Sequence, residues 1–175
     1  MGMTLLLVQF SMEQLQDYLN NPQHFEKDLP ELENSEVNSS CNLDKAWEAI
    51  HYLLTGSTIG GFLVTGKKRT DNNHPLAQAV YSDQFFDEKQ DLGVGPASYL
   101  TSEQVKDISN ILEQLDESVL KDRYNPVVMA EIGIYPHFWN DNHFLFDYVA
   151  NSFRKFKAFY TEAASKNHSI ASYIS

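Results

Sequence analysis

The chain has 175 residues, 42% of them hydrophobic and 13% aromatic, which suits one domain with a real core over 1–175. Thirteen basic against 24 acidic residues give a formal charge of -11, a balance that opposes nucleic-acid phosphate and anionic lipid and attracts a cationic partner. The only cysteine, Cys41, excludes an intrachain disulfide, a Cys/His zinc framework and a redox pair, and it fits a reducing compartment such as the cytoplasm.

Met3 to Phe10 is a short apolar run whose length predicts a buried strand. It is too short to span a membrane and lacks the basic flank of a secretory signal, so neither leader nor anchor is expected. Ser11 with Gln14 makes a capping box, and Leu15, Tyr18 and Leu19 then give a helical stripe that stops at Asn20-Asn21-Pro22. From Glu26 to Glu36 the acidic residues Glu26, Asp28, Glu31, Glu33 and Glu36 surround Lys27, and Pro30 interrupts. This stretch reads as a solvated connector that opens on a short helical turn. Leu43, Ala46, Trp47, Ile50, Leu53 and Leu54 recur at helical spacing before Gly56, which predicts a second helix with Cys41 just ahead of it.

Thr58 to Thr65 reads as an extended or flexible segment, open to a hairpin, that closes in a Lys67-Lys68-Arg69 turn. Pro75 fits the first turn of a short helix through Leu76, Ala77, Ala79 and Val80, while Ser82 to Asp91 reads as acidic and irregular. Thr101 and Gln104 form another capping box, ahead of the stripe Val105, Ile108, Ile111, Leu112 and Leu115. Asp116 to Arg123 predicts a short helix, and Asn125-Pro126 starts another. Asp141 is placed to cap a long helix buried along Leu145, Tyr148, Val149, Phe153, Phe156, Tyr160 and Ala163, and Ala171 to Ile174 predicts a closing strand. The expected fold is α+β: several helices, the last one long, on a small sheet that holds both terminal strands.

No motif with a self-sufficient mechanism occurs: no phosphate loop, dinucleotide fingerprint, paired metalloprotease histidines or nucleophile elbow. In Gly93-Val94-Gly95-Pro96 the proline removes a backbone donor, so a structural turn is the better reading. Asp44, Glu48, His51 and Thr55 would form one ridge of the second helix, able to shuttle a proton or hold a metal, or equally to be a helix edge with His51 packed on Trp47. Tyr135, His137, Trp139, Asn140, Asp141 and His143 combine apolar bodies with polar tips and suit a pocket rim or an interface. Cys41 has no neighbouring base to make a thiolate and reads as inert.

Several stretches together resemble the YfbM-like family of uncharacterised bacterial proteins, one of the domain-of-unknown-function families. They are Met1-Gly2-Met3, Leu43 to Trp47, Ile50 to Gly56, Pro75-Leu76-Ala77, Gly93 to Ala97, Tyr99-Leu100-Thr101, Ile134-Tyr135-Pro136 with Trp139, Phe159-Tyr160 and Tyr173-Ile174-Ser175. The resemblance implies a compact α+β domain and no established reaction. It also implies a shared surface drawn from Asp44, Lys45, Trp47, His51, Gly56, Gly95, Tyr99, Tyr135 and Trp139. Two departures stand out: Glu48 occupies a position that is often histidine in that family, and the Thr58 to Thr70 segment looks longer than usual.

The leading expectation is a non-enzymatic binding protein, of the immunity or inhibitor type, that covers a cationic bacterial toxin. Glu31, Glu33, Asp87 and Glu88 would then be contact residues, and no cofactor, metal, nucleic acid or membrane would be involved. The rival is a small enzyme or ligand-binding domain with a pocket near His51 and Tyr135, where Asp44, Glu48, His51 and Tyr135 are the catalytic candidates. A partner-assembly module with an exposed apolar patch is the third reading.

Overall fold

The opening apolar run shows no polar alternation because strand β1 (Leu5–Phe10) is covered on both of its faces. The computed structural model describes residues 2–34, 40–60, 63, 73–139 and 143–175. Within them, four strands pair antiparallel in the order β2-β1-β4-β3, with β2 spanning Ser40–Asp44, β3 Ser98–Leu100 and β4 Ser169–Ile174. Both terminal strands are central: Leu5 opposes Ile174 and Phe10 opposes Ser169.

The pleat sends alternate residues to opposite faces. Leu5, Leu7, Leu43, Ile170 and Ile174 join one core with helices α3 (Trp47–Thr55), α4 (Ser102–Glu113) and α7 (His143–Ser165). Val8, Phe10, Ala171 and Tyr173 join a second core on the other face, with α1 (Met12–Asn20) and α2 (Pro22–Asn34). Two shorter helices, α5 (Glu117–Arg123) and α6 (Pro126–Glu131), complete the first layer.

Several expectations hold because they rest on local chemistry. Ser11 and Gln14 bond reciprocally at 3.2 and 3.0 Å, and Thr101 and Gln104 repeat the box on α4. Asn125 caps α6 with Pro126 in its first turn, Asp116 caps α5, and α7 is the long last helix. The expected Asp141 cap and the Lys67 to Arg69 turn lie outside the described residues.

Other expectations are corrected. The acidic connector is helical through Asn34, with Pro30 inside α2; its final residues lie outside the described set. Phe25 and Leu32 are buried and Leu29 packs beside them, a stripe whose burial outweighs the one backbone bond that Pro30 forfeits on the exposed side. The second helix begins at Trp47: Leu43 and Asp44 belong to β2, whose alternate residues Cys41 and Leu43 face the same core and so mimic an extra helical turn. Pro75 to Val80 is a string of turns closed by Ala77 N–H to His74 and Ala79 N–H to Leu76. Leu76, Ala77, Ala79 and Val80 are buried all round, with no polar helix face. Of the segment expected to be extended, Leu63 N–H bonds Ile59 as in a helical turn, and most of the remainder lies outside the described residues. Strand β3 was not foreseen. It is three residues long and is recruited by β4, with Tyr99 opposite Ala171.

Helix α3 is anchored at both ends. At its start, the Trp47 indole donates to the Met3 carbonyl at 3.4 Å. At its end, Gly56 takes the left-handed conformation at φ 77°, and Arg123 of α5 donates to the Leu53 and Leu54 carbonyls at 3.1 and 2.7 Å.

Candidate functional site

The ridge Asp44, Glu48, His51, Thr55 does not survive as one surface. Asp44 sits at the end of β2 with φ 46°, and its carboxylate accepts from the Tyr148 hydroxyl at 2.8 Å. His51 has no exposed surface, and Thr55 donates to the His51 carbonyl at 2.8 Å. His51 lines none of the clefts formed by the described residues.

Glu48 is the informative member. Its side chain is buried at 3% exposure, yet it accepts from two backbone N–H groups, Gly60 at 2.7 Å and Tyr135 at 2.8 Å. One carboxylate thus ties α3 to the helical turn at Gly60, 12 residues away, and to the loop at Tyr135, 87 residues away. Gly60 can approach so closely only because it lacks a side chain: an added Cβ would lie 2.8 Å from Glu48 Oε1. The Tyr135 ring lies almost flat on Trp47, with centroids 5.5 Å apart and planes at 25°.

These residues enclose a cleft of about 320 Å³ whose wall includes Trp47, Glu48, Gly60, Ile132, Tyr135 and His137. Met3, Leu63 and Ile132 add apolar surface to its lining, and Ile132 is 46% exposed. Lys45 lies toward the Tyr135 hydroxyl end, where both side chains crowd against Gly2. Among the described residues, no group of three or more His, Cys, Asp or Glu side chains is placed to hold a metal ion.

The structure separates the other candidates. Trp139 is buried and donates to the Ile134 carbonyl at 2.7 Å, which makes it a brace for the Tyr135 turn. Tyr99 stacks on Phe86 at 5.1 Å in the core on the far side of the sheet. Gly95 has φ 80° in a loop where Leu92 N–H bonds the Gly95 carbonyl and Val94 N–H bonds Ile174, so the Gly93 to Pro96 stretch is a turn laid on the end of β4. Of the family-like residues, therefore, Trp47 and Tyr135 meet at the cleft, whereas Gly95, Tyr99 and Trp139 do not line it. Asn140 and Asp141 lie outside the described residues. Gly60 was not foreseen as a site residue, because its doubled glycine reads as flexibility in the sequence.

The acidic residues sit on the opposite layer. Glu33 accepts from the Tyr173 hydroxyl and Asp28 from Tyr18 at 3.1 Å, so both help to fasten α2 to its core. Glu31, Asp87 and Glu88 are exposed. Cys41 is buried, and burial pushes its thiol up to about 12, as expected for an inert cysteine.

A comparison with curated proteins found no match. Among solved structures, the fold is similar to that of YfbM from Escherichia coli, described as a protein of unknown function, with a TM-score of 0.74 and 18% identity over 98% of this chain and 99% of that one. At that identity the likeness is one of fold. A family model described as "Domain of unknown function (DUF1877)" matches residues 1–173, and the chain belongs to that family.

Proposed function

We propose that the protein is a non-enzymatic binding protein of the bacterial cytoplasm that neutralises a cationic toxin by covering it with an acidic face. One observation carries this: Gln90 Nε2 donates to Glu26 Oε1 at 2.9 Å, across 64 residues of sequence. That bond, together with the Phe25 and Phe86 rings packed 4.8 Å apart, joins the two acidic segments of the sequence into one surface. Glu26 and Glu31 of α2 and Asp83, Asp87, Glu88 and Asp91 of the loop are exposed, against Lys27 and Lys89. Charges gathered within about 8–10 Å of one another reinforce each other at physiological salt, where scattered ones are screened. Such a face speeds encounter with a cationic partner. A groove of about 270 Å³ lined by Gln9, Gln14, Asp28, Glu31 and His168 lies on the same layer and suits a partner's basic side chain.

The test is co-expression with each toxin encoded beside its gene. The wild-type chain should restore growth, and the triple variant Glu31→Lys, Asp87→Lys, Glu88→Lys should not, although it folds. Survival unchanged by deletion of the protein, for every neighbouring gene, would sink the proposal.

A further inference from the structure

The cleft on α3 lies on the other layer from the acidic face and is built differently. A carboxylate can accept about four hydrogen bonds. Glu48 receives one on each oxygen from Gly60 and Tyr135, and it still forms part of the cleft wall. A buried charge is costly unless it is matched by an opposite one. Among the described residues lining the cleft there is neither lysine nor arginine, and His137 is the only basic side chain.

The rest of the wall selects the occupant. Tyr135 offers an aromatic surface, backed by Trp47, that attracts cations. Met3, Leu63 and Ile132 supply an apolar approach. A volume of about 320 Å³ falls at the small end of ligand pockets, which run from about 300 to 1,000 Å³. An anion would meet both Glu48 and a chain of formal charge -11. A neutral apolar ligand would leave the carboxylate facing it unmatched. We infer that the cleft binds a small organic cation, an ammonium or guanidinium head on a short apolar body, with the head on Glu48 and the body along Tyr135 and Ile132.

The experiment is a titration of the full chain with n-butylguanidinium, followed by NMR at the Gly60 and Tyr135 amides and the Trp47 indole. Pentanamide and pentanoate serve as neutral and anionic matches of similar length. Saturable shifts at these three groups are expected with the guanidinium, with affinity at least roughly tenfold weaker for the amide and no saturation with pentanoate. Ile132→Arg, at the exposed rim, introduces a competing cation without disturbing the core, so it should weaken guanidinium binding by roughly tenfold or more at an unchanged melting temperature. Equal affinity for guanidinium and amide, no saturable shift with either, or wild-type binding by Ile132→Arg would each overturn the inference.

Discussion

Glu48 Oε2 accepts the backbone N–H of Tyr135 at 2.8 Å across 87 residues, and it makes a helix side chain the fastening point of a distant loop. Glu48→Ala strands the Tyr135 and Gly60 donors together, whereas Glu48→Gln keeps one acceptor. A stranded buried donor costs about 1–3 kcal/mol, so the urea midpoint should fall in both variants and further in alanine. Equal midpoints for wild type and alanine would show that water replaces the carboxylate freely.

Gly60 tests the same joint from the other side. The added methyl of Gly60→Ala meets Glu48 Oε1 at 2.8 Å, and the carboxylate is held in place by its bonds from Gly60 and Tyr135. The expected cost is about 1–3 kcal/mol, the usual range for overpacking a well-filled site. Gly56→Ala is the useful contrast: nothing lies within 4 Å, so its cost of roughly 1–2 kcal/mol comes from the left-handed backbone alone. Combining Gly60→Ala with Glu48→Ala should therefore be less than additive, and Gly56→Ala with Glu48→Ala closer to additive, which thermal melts of the three single and two double variants would reveal.

Alkaline pH should weaken the fold. Burial holds the Cys41 thiol up at about 12, and burial followed by its bond to Asp44 holds the Tyr148 hydroxyl at about 12. Both folded values lie above the unfolded ones, so each contribution is complete below the unfolded pKa and is lost as pH rises through the folded one. Stability measured by urea titration should decline from about pH 9 toward 12, and Tyr148→Phe should flatten the part of that decline above about pH 10. In the native state at neutral pH, Cys41 should resist Ellman's reagent and react fully only on unfolding.

Ser11→Ala and Thr101→Ala each remove an N-cap acceptor, at Gln14 and Gln104 respectively. Each should lower stability by about 1 kcal/mol without altering the spectrum of the folded protein. Amide exchange should quicken at the first turn of the helix concerned and leave the other helix unchanged.

What the sequence determined by itself was the set of features settled within a few residues: the caps of α1, α4 and α6, the amphipathic stripes of α4 and α7, and the burial of β1. Neighbouring side chains and backbone decide these whatever the rest of the chain does. Tertiary structure decided the remainder. Helix α2 exists because Phe25 and Leu32 find a core under the sheet that outweighs Pro30. Strand β3 exists because β4 offers it an edge. Asp44 left the expected ridge because β1 claims it for pairing, opposite Leu5. Glu48 was legible as a charged residue at helical spacing. Its meaning was not, since Gly60 and Tyr135 reach it only through packing between segments that no local pattern connects.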